Sequence, residues 1–218
     1  MTHEQRQVMS RFVFFDLGNV LVHFSLDRLA QQGAELTGRS AEEVLHAVFG
    51  YNRHIEFESG QVTDEEFYEH FCRELDCRPA PEAVAWALND IFEENEGMHP
   101  ITQQFAELDF PRGILSNTGP GHWNHCRTFF SFILERFPTN HILSYEVGFR
   151  KPDHRIYRAA LATAERTVPG IRPEEILFID DLEKNVVGAQ EFGFDAVQYV
   201  SDDQLQNALT LRTLQLRT

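Results

Sequence analysis

The chain is poor in cysteine, in cations and in long apolar runs. Its 218 residues include three cysteines, Cys72, Cys77 and Cys126. So odd and sparse a set supports no disulfide framework and fits a reducing cytoplasm. No apolar stretch approaches the length of a membrane span, and the N-terminal residues are polar, so neither a transmembrane segment nor an export signal is expected. Lysine and arginine total 19 against 34 acidic residues, a formal charge of −15. Nonspecific nucleic-acid binding and docking on anionic membranes both need clustered cations, so neither is expected here. A small anionic substrate remains admissible, because one fixed ammonium and a metal ion reverse the field locally.

What is present is a core. Apolar residues make up 42% of the chain and aromatics 12%, with 19 Phe. The length suits one domain with an insertion. Two short apolar runs end in aspartate: Phe12-Val13-Phe14-Phe15-Asp16 and Ile176-Leu177-Phe178-Ile179-Asp180-Asp181. Each reads as a buried parallel strand whose last residue emerges at the carboxyl edge of a sheet, where open α/β folds bind ligands. If both strands share one sheet, three carboxylates meet in one crevice. Like charges that close are costly unless a proton or cation relieves them, and a hard divalent ion is the simplest relief.

The rest of the chain supports that sheet. Arg11–Phe15, Arg112–Ser116, His141–Ser144, Ile176–Asp180 and Ala196–Tyr199 read as strands. Ile101–Leu108, Gly121–Phe132, Pro152–Thr167 and Glu183–Phe192 read as helices between them, the last stopped by Gly193. Residues 202–218 read as a terminal helix and frayed tail. From Asp27 to about Glu96 the pattern is helical with no strong strand. There, Ser40 with Glu43 and Thr63 with Glu66 form capping boxes, and Pro81 opens a further helix. The expected architecture is α/β: a doubly wound parallel sheet over 1–21 and 96–218, interrupted by a helical cap over 22–95.

Four segments at strand ends carry polar chemistry: Asp16-Leu17-Gly18-Asn19, Ser116-Asn117, Lys151-Pro152 and Asp180-Asp181. Their order and spacing resemble the haloacid dehalogenase superfamily over roughly residues 11–200. Asp16-Leu17-Gly18-Asn19-Val20-Leu21 and the insertion segment Phe57–Phe67 are similar to the branch that includes glucose-1-phosphate phosphatases. The resemblance implies a magnesium-dependent hydrolase of small phosphorylated metabolites, a sugar phosphate among them, working through an aspartyl-phosphate on Asp16. It implies Lys151 as a fixed cation beside the nucleophile, and Ser116 with the Asn117 N–H as phosphate ligands. Asp16, the Gly18 carbonyl, Asp180 and Asp181 would hold Mg²⁺, Asp180 directly and Asp181 through water or Lys151. A carboxylate is ordinarily ionised at neutral pH, so Asp16 would need no base. Asn185 either braces Asp181 or lies on the helix surface.

One position departs from the pattern. Most phosphatases of the superfamily have a second Asp two residues after the nucleophile, to protonate the leaving alcohol and activate water; here it is Gly18. Three readings stay open: a phosphatase with a good leaving group or another donor, a hydrolase at carbon such as a dehalogenase, or a weak catalyst that binds a phospho-ligand. The Asp180-Asp181 pair favours the first. His122 is a candidate substrate contact and proton donor. His122, His125 and Cys126 suit packing better than zinc, lacking a fourth ligand. Arg53, His54 and Glu58 either face the site or form a solvated helix face, the second being favoured.

Overall fold

The structure is a computed structural model that describes residues 9–213. Most of the polar N-terminal stretch and the end of the terminal segment, 214–218, lie outside the described residues. In chain order the elements are β1 (Phe12–Phe15), β2 (Val22–Phe24), α1 (Leu26–Thr37), α2 (Ala41–Phe49), α3 (Arg53–Glu58), α4 (Asp64–Glu74) and α5 (Pro81–Asn89). Then follow β3 (Phe92–Glu94), α6 (Met98–Glu107), β4 (Arg112–Ser116), α7 (Pro120–Phe129), α8 (Ser131–Arg136), β5 (His141–Leu143) and α9 (Ser144–Val147). The chain continues through α10 (His154–Thr167), β6 (Ile176–Asp180), α11 (Glu183–Phe192), β7 (Asp195–Gln198) and α12 (Asp202–Thr213).

Five strands form a parallel sheet in the order β5-β4-β1-β6-β7. The chain winds one way from β1 through β4 to β5, then returns to the other side of β1 as β6. The reversal lies between β1 and β6, the switch point at which such sheets open a crevice. β1 is fully buried and its side chains alternate between two layers. Val13 and Phe15 face one core, where Phe15 meets the rings of Phe105 and Phe137. Phe12 and Phe14 face the other, which α10 and α11 cover with Ile156, Tyr157 and Ala189. This is the all-apolar strand of a sheet covered on both faces.

The expected strands and helices are present, with shifts of a few residues at their ends. Two details differ. The helix expected over Gly121–Phe132 breaks at Phe130, whose extended backbone (φ −113°, ψ 91°) separates α7 from α8. The insertion is flanked by an antiparallel ribbon, β2 with β3, pairing Val22 with Glu94 and Phe24 with Phe92. The expectation of no strand up to about Glu96 missed β3 because three residues are too few to show a period.

Between β2 and β3 lie the five helices of the insertion. Both predicted capping boxes form, at Ser40 with Glu43 and at Thr63 with Glu66. Pro81 takes the first turn of α5, where its missing N–H costs nothing. Asn95 ties the ribbon to the core: its Nδ2 donates to the Val20 carbonyl at 2.8 Å and to the Tyr199 hydroxyl at 2.9 Å.

α1 and α2 meet at Gly33, which sits mid-helix where glycine is otherwise unfavourable. A methyl there would lie 2.5 Å from Val44 Cγ1. Because the β-branched valine is stiff, Gly33→Ala is expected to destabilise the fold by about 1–3 kcal/mol despite its helix propensity. Chemical denaturation checks this, and Val44→Ala should cost less in the Gly33→Ala background than in the wild type.

Candidate active site

Parallel pairing brings the two aspartates together. Phe15 lies opposite Ile179, and the Asp16 N–H donates to the Ile179 carbonyl at 2.9 Å. Asp16 and Asp180 therefore leave the sheet at one edge, side by side. Lys151 fills the space between them: its Nζ lies 2.8 Å from Asp16 Oδ1 and 2.6 Å from Asp180 Oδ2. The same Nζ donates to the Leu115 carbonyl at 2.9 Å. Lys151 is 2% exposed. Burial works against its charge, but Asp16 and Asp180 outweigh it and hold the ammonium above its ordinary pKa.

The two carboxylates at the end of β6 differ. Asp180 is enclosed: Oδ1 accepts from the Leu182 N–H and from Asn185 Nδ2, each at 2.9 Å, and Oδ2 accepts from Lys151 and, at 3.1 Å, from Asn185. Asp181 is half-buried, and its Oδ2 accepts from Asn19 Nδ2 at 3.2 Å. Asn19 has a left-handed backbone (φ 54°), which asparagine tolerates better than most residues. That turn aims its amide at Asp181. Carboxylate oxygens of Asp16, Asp180 and Asp181 lie within 4.8 Å of one another.

Three carboxylates around one ammonium leave uncompensated negative charge in a buried place. Burial pushes the Asp16 carboxyl up to about 8 against the pull of Lys151, and Asp180 and Asp181 add to the rise. Burial likewise raises Asp181, against the amide of Asn19. Burial thus works against the ionised form of Asp16 that the sequence reading assumed, and a further cation would favour it. The donor set is all hard oxygen, which fits a small divalent ion such as Mg²⁺.

β4 delivers Ser116, 2% exposed, one strand over from Asp16. The Asn117 side chain grips the backbone of Lys151, accepting from its N–H at 2.7 Å and donating to its carbonyl at 3.0 Å. The Thr118 N–H donates to Ser144 Oγ at 3.0 Å, which steadies the loop. Gly18, Ser116 and Asn117 line one end of a cavity of about 1150 Å³ that runs beneath the helical insertion.

Residues 11–193 match the family model of haloacid dehalogenase-like hydrolases. The chain belongs to that family. It is 26% identical over 222 residues to a D-ribitol-5-phosphate phosphatase of Bacteroides thetaiotaomicron, covering 93% of this chain and 98% of that protein. It is 24% identical to a drimenol cyclase of Aspergillus calidoustus, covering 93% of this chain but only 36% of that protein. A further curated relative is spanned over 54% of its length. Among solved structures, a haloacid dehalogenase family enzyme of Bacteroides thetaiotaomicron, in complex with magnesium and inorganic phosphate, shares the fold with a TM-score of 0.75. Its identity is 23%, over 87% of this chain and 93% of that one.

In this haloacid dehalogenase-like chain Asp16, Lys151, Asp180 and Asp181 come together, with Gly18, Ser116 and Asn117 around them. Asn185, 1% exposed, is a buried brace, but it braces Asp180 and not Asp181. His122 lines the cavity, but its Nε2 lies 3.2 Å from the Leu88 carbonyl and burial lowers its pKa to about 4. With Nε2 on a carbonyl and burial disfavouring the imidazolium, the ring is poorly set for the expected donor role. His125 packs among the rings of Trp86, Phe92 and Phe129.

The solvated-face reading fails: Arg53 pairs with Glu56 at 2.7 Å but is half-buried with its Nε enclosed, and His54 and Glu58 are half-buried too. Both line the cavity, and Glu58 Oε2 lies 2.8 Å from an Arg150 nitrogen. Burial raises the Glu58 carboxyl against the pull of Arg150. Sequence reasoning missed Arg150 and Asn19; the one available signal was their adjacency to Lys151 and Gly18.

The raised carboxyl gives a test with a defined sign. Asp16 lies at about 8 in the folded chain against an ordinary 3.8. Its contribution to metal-free stability is thus present below about pH 4 and lost as pH rises toward about 8. A cation that binds the ionised form reverses that loss. The gain in melting temperature from saturating Mg²⁺ over EDTA should be larger at about pH 8 than at about pH 5. An equal gain at both would contradict the assignment.

Proposed function

We infer that this chain is a magnesium-dependent phosphomonoester hydrolase acting on a small phosphorylated metabolite through an aspartyl-phosphate on Asp16. The observation that carries the reading is the buried excess of carboxylate around Lys151, beside a strand-end Ser116 loop. A carbon–halogen hydrolase needs a nucleophilic aspartate and a cation, but gains nothing from Asp181 held by Asn19 next to Asp180. The phosphatase named among the relatives, and the solved relative with magnesium and phosphate, support the same direction.

Asp16, Asp181 and the Gly18 carbonyl would hold the ion, while Asp180, already engaged by three donor groups, holds Lys151 in place. This reverses the division of labour expected from sequence. The bound ion would neutralise the phosphoryl oxygens and keep Asp16 ionised. An Asp16 oxygen attacks phosphorus in line, the bond from phosphorus to the alcohol oxygen breaks, and the alcohol leaves with a proton. Lys151, the Ser116 hydroxyl and the Asn117 N–H stabilise charge on the transferred group. Water then attacks the acyl phosphate, releasing inorganic phosphate and restoring Asp16. Closure of the helical insertion over 22–95, acting as a cap, would exclude water from the first transfer.

Glu58 is the acidic group of the insertion that lies beside Arg150, next to Lys151, and in this reading it supplies the leaving-group proton that Gly18 cannot. Wild type should hydrolyse p-nitrophenyl phosphate with Mg²⁺ and fall to background in EDTA, and Asp16→Asn should be inactive and form no phosphoenzyme. Halide release from a 2-haloacid without metal, or phosphate binding without turnover, would overturn the reading. Glu58→Gln should lower kcat by about 10²-fold on an alkyl phosphate but little on the aryl ester, whose leaving group needs no proton. Equal losses on both would remove Glu58 from the proton-transfer role.

A further inference from the structure

The cavity beneath the insertion holds about 1150 Å³, larger than most small-molecule sites of about 300–1,000 Å³. Its wall is mainly apolar, built by Phe24, Leu29, Phe57, Phe67, Leu88 and Phe92. The apolar lining begins at the catalytic loops themselves. A methyl on Gly18 would lie 3.3 Å from the Phe24 ring, and one on Gly119 would lie 2.6 Å from the Phe57 ring.

Polar groups of the wall fall into three sets. His54 and Glu58 gather around Arg150, next to Lys151, so they serve the phosphate end. A second set is already engaged: His122 with the Leu88 carbonyl, Asn89 Nδ2 with the Ala85 carbonyl at 2.6 Å, and Arg78 with Glu69. Asp64, Glu65 and Glu82 are exposed and acidic where they border the cavity. A polyol entering this space would lose hydrogen bonds to water and find few free partners, a cost an apolar chain does not meet. A second anionic group would meet those carboxylates.

We propose that the substrate is the monophosphate of a bulky apolar alcohol, such as a long alkyl or prenyl phosphate, with no second anionic group. This rests on the phosphomonoesterase reading and narrows it away from sugar phosphates. The phosphate sits at Asp16 and Ser116, and the hydrocarbon fills the space between α1, α4 and α5.

The test is a series of n-alkyl monophosphates from butyl to decyl, below their micellar concentrations, with wild type and Mg²⁺, alongside ribitol 5-phosphate, glucose 6-phosphate and p-nitrophenyl phosphate. All the alkyl esters share one class of leaving group, so chain length varies burial alone. kcat/KM should rise about fourfold per methylene until the cavity fills, the factor for burying one CH₂ group. Decyl phosphate should then exceed both polyol esters by about 10²-fold or more. Turnover of the aryl ester with a flat alkyl series, or with a polyol ester preferred, would overturn the proposal and leave the phosphatase reading standing. If no ester is hydrolysed, the phosphatase reading fails, and calorimetric binding of decylphosphonate against ethylphosphonate decides the apolar site separately: equal affinities overturn it. Ala85→Glu places a charge on the cavity wall at an exposed helix position, and should flatten the chain-length dependence.

Discussion

Lys151 joins the tips of two strands that lie far apart in the chain, and the site is built outward from that contact. Its ammonium is within 2.8 Å of Asp16 and 2.6 Å of Asp180, with almost no exposure to water. A buried ion pair of this kind is costly to break, about 3–5 kcal/mol when one partner is removed, because the other charge is left uncompensated. The surrounding structure fixes it from both sides. Asn117 grips the Lys151 peptide, and Asn185 and the Leu182 N–H hold Asp180. Tyr157 in turn donates to the Asn185 carbonyl at 2.7 Å, which ties the brace to the apolar layer under the sheet.

That pairing balances only part of the charge. With Asp181 nearby, the crevice carries more carboxylate than ammonium, and burial magnifies the imbalance until Asp16 resists ionisation. In the proposed reading the nucleophile and the cation are therefore linked: a positive ion at these carboxylates would favour the ionised form of Asp16.

Much of this was legible in the sequence. Apolar runs closed by aspartate fix strands, strand ends fix a shared edge, and the order of Asp16, Ser116, Lys151 and Asp180 follows from chain connectivity. What was not legible depends on side-chain direction across elements. Neighbouring aspartates look equivalent in a row of letters, yet successive residues of an extended chain point to opposite faces, so Asp180 turns to Lys151 and Asp181 to Asn19. Asn117 was expected at the phosphate through its N–H, but its side chain serves the Lys151 backbone. His122 looked like a spare proton donor until the Leu88 carbonyl and burial claimed it. β3 was too short to register, and the Glu58–Arg150 contact joins an insertion helix to a core loop that no local pattern connects.

Crystals soaked in Mn²⁺, read by anomalous scattering, test the central claim most directly. One peak is expected with an Asp16 oxygen, an Asp181 oxygen and the Gly18 carbonyl as its protein ligands, with Lys151 still bridging Asp16 and Asp180. A cation bound elsewhere, or Lys151 displaced so that the two carboxyls turn apart, would contradict it.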